Sequence, residues 1–351
     1  MKTLVLSALL LLPFPLIHAQ QQPFQAVVTQ YYQAQHFNGV VLVATDGKID
    51  FLSSMGVANR STGEALTPQT TFKIASMTKA FTALMIMKLY EEGRIQLEAT
   101  IGHYLPKYSG AGKDQVTIHQ LLTYSSGIEN QAEPLGMASY QTQKTLDDYI
   151  RTYCSGKLVY TPGEKSTYSN TEYILLQQII ETVSGKKYEQ YLHEIILDPL
   201  KMTHTGVLHS EVKIPTLTPS YTYDEVQKTF ADDAPYYSEN YFGAGCMYAT
   251  VEDMLLFSTA LFGHQILSES TMKKMLEIHE DLGYTAYGLW GSSGWGTFKE
   301  PFYYRTGGIL GATSNWITTL DTHKTILIMS NTDATNLYEM SEALYLVSIG
   351  K

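Results

Sequence analysis

The clearest signals in this chain lie in how its apolar residues repeat. Gly39-Val40-Val41-Leu42-Val43-Ala44 and Ile49-Asp50-Phe51-Leu52 flank Asp46-Gly47, which predicts a β-hairpin with a tight turn. From Met77 to Glu92 the apolar positions (Phe81, Ala83, Leu84, Met85, Ile86, Met87, Leu89) fall on nearly every side of a helix, and Gly93 follows. That predicts a buried helix closed by a glycine. Leu176, Ile179, Ile180 and Val183 recur at i, i+3, i+4 and i+7, so a second helix is predicted over about Thr171 to Ser184, ending at Gly185. Tyrosine-rich loops fill much of the rest up to about Gly245. Beyond them the pattern predicts a helix over Thr250–Leu261 and strands over Tyr303–Gly307, Thr313–Leu320 and Thr325–Ser330. A turn at Asp321-Thr322-His323 separates the last two strands, and a closing helix is expected over 336–348.

Strands near both ends with helices between them predict an α+β fold, in which both chain ends build one antiparallel sheet with flanking helices. The expected division is an α/β lobe of about 20–72 and 248–351, with an inserted, mainly helical lobe of about 73–247. Residues 1–19 read differently. Lys2 precedes the apolar run Leu4–Leu12, Pro13 and Pro15 interrupt it, and Ile17-His18-Ala19 follows, the pattern of a secretory signal cleaved after Ala19. An exported protein is expected, and no stretch is long enough for a membrane span.

Composition narrows the picture. Of 351 residues 44% are apolar and 17% charged, which is globular, and the formal charge of −10 with no basic stripe argues against nucleic acid as partner. Cys154 and Cys246 are the two cysteines, too few for a disulfide framework or a zinc ribbon. They read first as two separate buried thiols, with one disulfide between them as the alternative. The histidines show no metal-ligand spacing, and Glu91-Glu92, Asp147-Asp148 and Asp232-Asp233 read as solvated faces rather than a catalytic carboxylate pair. The chain has no H-E-x-x-H, G-x-S-x-G, Walker loop or G-x-G-x-x-G.

Ser-x-x-Lys remains, and it occurs three times, at Ser76/Lys79, Ser184/Lys187 and Ser270/Lys273. Ser184 falls at a helix-ending glycine turn, and Ser270 in a polar helix expected over Ser268–Glu280. Ser76 opens the helix that is apolar all round. At i and i+3 its hydroxyl shares a face with Lys79. A desolvated lysine has a lowered pKa and can take the serine proton. The competing local reading is a capping serine and a snorkelling lysine. Tyr168-Ser169-Asn170 precedes the second amphipathic helix, where Asn170 would serve either as N-cap or as an amide projecting toward Ser76. Arg305-Thr306-Gly307-Gly308 follows the aromatic run Phe302-Tyr303-Tyr304, and its glycines would let a substrate backbone approach a strand edge.

Taken in order, these three elements resemble the serine β-lactamase and penicillin-binding-protein superfamily, and Tyr-x-Asn resembles its class C β-lactamase-like branch. Phe37–Val43, Phe72–Lys79, Leu121–Ile128, Tyr168–Leu176, Asp198–Gly206 and Ala244–Met254 carry the resemblance over almost the whole chain. It implies a serine hydrolase acting through an acyl-enzyme on a small-molecule or peptidoglycan-type substrate, namely a β-lactam, a D-amino-acid peptide or a small ester. Ser76 would be the nucleophile, with Lys79 and Tyr168 sharing the proton transfers. Asn170 would hold Lys79 and a substrate amide, and the backbone N–H groups of Ser76 and Gly308 would hold the oxyanion. Arg305, Thr306 and Gly307 would bind substrate, and neither a metal nor an organic cofactor is implied. The alternative is a non-catalytic sensor or scaffold with the same fold. One departure stands out: Arg305 occupies a place where the family commonly has lysine or histidine. It is expected either to select an anionic substrate through its planar fork or to pair with Glu300.

Overall fold

The computed structural model describes residues 14–351, so the signal segment expected at 1–19 lies largely outside the described residues. Seven antiparallel strands form the main sheet. In chain order they are β1 (Gly39–Thr45), β2 (Lys48–Met55), β3 (Thr285–Ala286), β4 (Leu289–Ser292), β5 (Phe302–Ile309), β6 (Ala312–Thr319) and β7 (Lys324–Ser330). Across the sheet the order is β3-β4-β5-β6-β7-β1-β2. The N-terminal hairpin thus adds to the C-terminal strands through β1 and β7, paired from Gly39↔Ser330 to Thr45↔Lys324. Its turn is the predicted Asp46-Gly47, where both residues have positive φ, as a two-residue hairpin turn of that hand requires.

Strand β1 reads as an unbroken apolar run because both faces of the sheet are covered. Val40, Leu42 and Ala44 belong to the larger core, with Phe81, Leu84 and Met85. Val41 and Val43 belong to a second core on the other face, with Phe24 and Val28 from helix α1 (Phe14–Gln35) and Met340 and Leu344 from the C-terminal helix. Helix α2 (Thr78–Glu91) is buried along nearly its whole length, preceded by a tight turn over Ala75–Met77. Helix α3 (Thr171–Ser184) ends as predicted at Gly185, whose left-handed φ of 74° lets its N–H bond the Glu181 carbonyl. Helix α4 (Val251–Phe262) is capped by the Thr250 side chain, and α5 (Leu337–Ser348) closes the chain. Among the described residues, no helix is long and apolar enough to cross a membrane.

Two expectations need correction or decision. The polar helix expected over Ser268–Glu280 is shorter, covering Glu269–Met275, because Leu276 to His279 turn away to bridge His279 with Thr285. The cysteines are two buried free thiols, so the disulfide alternative falls.

Candidate active site

Ser76 sits at the mouth of helix α2, one residue after Ala75. Ala75 has a φ of 47°, a left-handed conformation that costs a non-glycine residue on the order of 1–3 kcal/mol. Lys79 follows one turn later with no exposed surface. Its Nζ donates to Ser76 Oγ at 3.0 Å, to Asn170 Oδ1 at 2.8 Å and to the Ala244 carbonyl at 2.7 Å. Two of these partners are fixed carbonyl acceptors. When Lys79 gives up a proton, its remaining N–H groups satisfy those two, and the lone pair is left facing the serine. Burial pulls the Lys79 amine down from its ordinary value to about 8, with the nearby Tyr168 opposing the shift.

Asn170 stands at the N-cap position of α3, yet its side chain makes no capping hydrogen bond. Its oxygen accepts from Lys79, the lysine that also donates to Ser76, rather than from the helix N-terminus. The segment that leads to the Ala244 carbonyl is fixed just before it. Phe242, two residues earlier, has a φ of 45°, and Thr82, on the same helix face as Lys79, donates to the Gly243 carbonyl at 2.7 Å.

Tyr168 is 45% exposed, but its hydroxyl is turned inward and lies 2.6 Å from Ser76 Oγ. Burial alone would push this phenol up. The neighbouring Lys79 and Arg305 cations, together with hydrogen bonds to Lys79 and Ser76, outweigh burial and hold it at about 8. Ser76 is therefore flanked by an amine and a phenol of matched acidity, close enough to exchange its proton.

Strand β5 brings the third element. It pairs with β4 only through Phe302–Tyr304, so from Arg305 onward its outer edge is free of strand pairing among the described residues and lies against the Ser76 turn. Gly307 permits that approach, since a Cβ there would lie 2.3 Å from the Ile74 carbonyl oxygen. Along the strand Arg305 and Gly307 are buried while Thr306 and Gly308 are exposed.

Arg305 corrects the sequence reading. It has no exposed surface, and all of its donor-bearing nitrogens are used inside the protein. Nε donates to the Ser76 carbonyl at 2.9 Å, Nη1 to Tyr124 Oη at 3.0 Å and Nη2 to Tyr168 Oη at 3.3 Å. The guanidinium also packs 4.3 Å from the centre of the Trp290 ring. It is therefore not paired with Glu300, whose carboxylate accepts from Asp321, Thr322 and Tyr345.

The other two Ser-x-x-Lys copies do not assemble a site. Ser184 bonds at its own helix end, and the Lys187 side chain is 81% exposed. Ser270 and Lys273 are both exposed. Three participants escaped the motif reading: Tyr124, the Ala244 carbonyl and Glu172. Glu172 is fully buried and accepts from Ser126 Oγ at 2.7 Å, and burial pushes its carboxyl up. It ties the start of α3 to the segment after Tyr124.

Comparison with known proteins gives the family and the fold. The Beta-lactamase family profile matches residues 24–351. A putative penicillin-binding protein of Bacillus subtilis (strain 168) is 31% identical over 71% of this chain and 61% of its own length. A teichoic acid D-alanine hydrolase of Staphylococcus aureus (strain NCTC 8325 / PS 47) is 26% identical over 83% of this chain and 67% of its own. The chain thus spans about three fifths to two thirds of these two relatives. The solved D-amino acid amidase of Ochrobactrum anthropi SV3 superposes with a TM-score of 0.81, covering 94% of this chain and 98% of that one at 22% identity, which shows the shared fold.

Proposed function

The chain belongs to the Beta-lactamase family, and on that footing we propose that it is a serine hydrolase working through an acyl-enzyme on Ser76. The observation that carries this reading is the convergence of Lys79 Nζ and Tyr168 Oη on one serine oxygen. In the proposed cycle Ser76 Oγ attacks a carbonyl carbon and passes its proton to the Lys79–Tyr168 pair. The carbonyl electron pair moves onto the oxygen, which faces the backbone N–H groups of Ser76 and Gly308. Collapse breaks the bond to the amine or alcohol, which leaves with the transferred proton. Water then repeats the attack on the acyl-enzyme. Asn170 keeps Lys79 aimed, and exposed Thr306 beside Gly307 offers the strand edge to the substrate.

The acyl donor is proposed to be an amide or ester of a D-amino acid of the cell-envelope type, acted on outside the cytoplasm, rather than a peptide recognised by its free carboxylate. Two observations support this. Arg305 is fully buried, and each of its three nitrogens already donates within the protein, to Ser76, Tyr124 or Tyr168. The relatives' names point the same way, to D-alanine on teichoic acid and to D-amino acid amides. The test is a panel of D-alanine amide, a short-chain p-nitrophenyl ester, a D-alanyl-D-alanine peptide and a chromogenic cephalosporin. Amide and ester are expected to turn over faster than the peptide. Turnover of the cephalosporin alone would contradict the substrate class, and turnover of none would contradict the hydrolase reading.

The same geometry makes a prediction for Arg305. Losing a charged hydrogen bond costs about 1.5–3 kcal/mol, so Arg305→Met should lower kcat/KM by roughly 10- to 150-fold. The loss should be the same for neutral and carboxylate-bearing substrates, because the side chain acts on Tyr168 and not on the substrate. A loss confined to the carboxylate-bearing peptide would restore anion selection.

A further inference from the structure

Tyr124 is the end of a hydrogen-bonded path that starts at the nucleophile. It follows the short helix Ile118–Leu122, is 1% exposed, and has a φ of 56°, a strained conformation for a bulky side chain. Its ring is set against Tyr168 at 5.1 Å and Tyr173 at 5.2 Å between centroids. Tyr173 is itself anchored, accepting the Gly288 N–H at 2.9 Å and donating to the Leu122 carbonyl at 3.1 Å. Tyr124 Oη accepts from Arg305 Nη1, and Ser76's carbonyl accepts from Nε. A guanidinium is planar, so these two contacts set its plane, and the remaining amino group, Nη2, is then directed at Tyr168 Oη.

We propose that Tyr124 is a positioning residue for proton transfer at Ser76: by accepting from Nη1 it fixes the Arg305 plane so that Nη2 supports the oxygen of Tyr168. It acts through Arg305 and touches no substrate. The inference rests on the hydrolase reading, and its first readout is chosen to be independent of turnover. Burial holds the Tyr124 phenol far above the ordinary range, so it stays a neutral hydroxyl throughout. The titratable groups facing Tyr168 are Lys79 from α2, Arg305 from β5, Tyr124, Tyr173 from α3, and Tyr140 and Tyr241 from the loops. Among these only Lys79 and Arg305 stabilise the phenolate.

Tyr124→Phe keeps the ring and deletes the acceptor. An ultraviolet difference titration against Tyr168→Phe reads Tyr168 directly, because the phenol at about 8 ionises before ordinary tyrosines. In Tyr124→Phe this transition should move to higher pH. The kcat on the amide or ester should fall by roughly 3- to 10-fold, the scale of one ordinary hydrogen bond, with KM unchanged. Tyr124→His, whose ring nitrogen can accept, should recover most of both, and covers the case in which the phenylalanine variant folds poorly. In an Arg305→Met background Tyr124→Phe should add no further shift, since contacts in one network are not additive. An unmoved tyrosinate transition in Tyr124→Phe would overturn the proposal, as would a shift that persists without Arg305. A shifted transition in a protein that hydrolyses nothing would retain the positioning role and contradict the hydrolase reading alone.

Discussion

Replacing Lys79 by methionine, or Tyr168 by phenylalanine, should lower turnover by roughly 10²–10⁴, the usual scale of general acid–base catalysis. The double variant should lose little more than either single one, because the two groups share one proton on one serine oxygen. Both sit at about 8. Below that pH the pair holds both protons and offers no base, so kcat/KM should fall as pH is lowered through 8. Well above it both protons are gone and the leaving group finds no acid. Stability provides the control. A lysine whose amine is depressed by burial carries its charge at a cost in the folded state, present below the folded pKa and relieved as pH rises through it. Lys79→Met at neutral pH should therefore melt no lower than the parent while losing activity. Losses that multiply in the double variant would mean that the two side chains act independently.

Much of this site could be read from the chain because its parts are local. Ser76 and Lys79 lie one turn apart on a helix whose apolar periphery announces its burial, and Asp46-Gly47 dictates the hairpin turn. Arg305 shows where such reading stops. Assigning both Arg305 and Thr306 to the substrate ignores the two-residue period of a strand, which sends neighbours to opposite faces. The structure obeys that period, with Arg305 buried and Thr306 exposed. Tyr124 is one of 26 tyrosines, and its contact is with Arg305, 181 positions away, which no local pattern reports. The Ala244 carbonyl is backbone, so residue type says nothing about it. Strands β3 and β4 have two and four residues, too short for alternation to emerge.

Ser76 itself should be absolutely required, and the reason is visible in the rival copies of its motif. A serine hydroxyl is a poor nucleophile until a base is held against it. Lys79 is held there by two carbonyl acceptors within a fully buried setting, whereas Lys187 and Lys273 extend into solvent and are not held against a serine hydroxyl. The most direct measurement is therefore covalent: treat the purified protein with a fluorophosphonate and locate the adduct by intact mass and tryptic mapping. A single adduct is expected, on the peptide of residues 74–79, and none in Ser76→Ala. Labelling that survives undiminished in Ser76→Ala would place the nucleophile elsewhere and contradict the account.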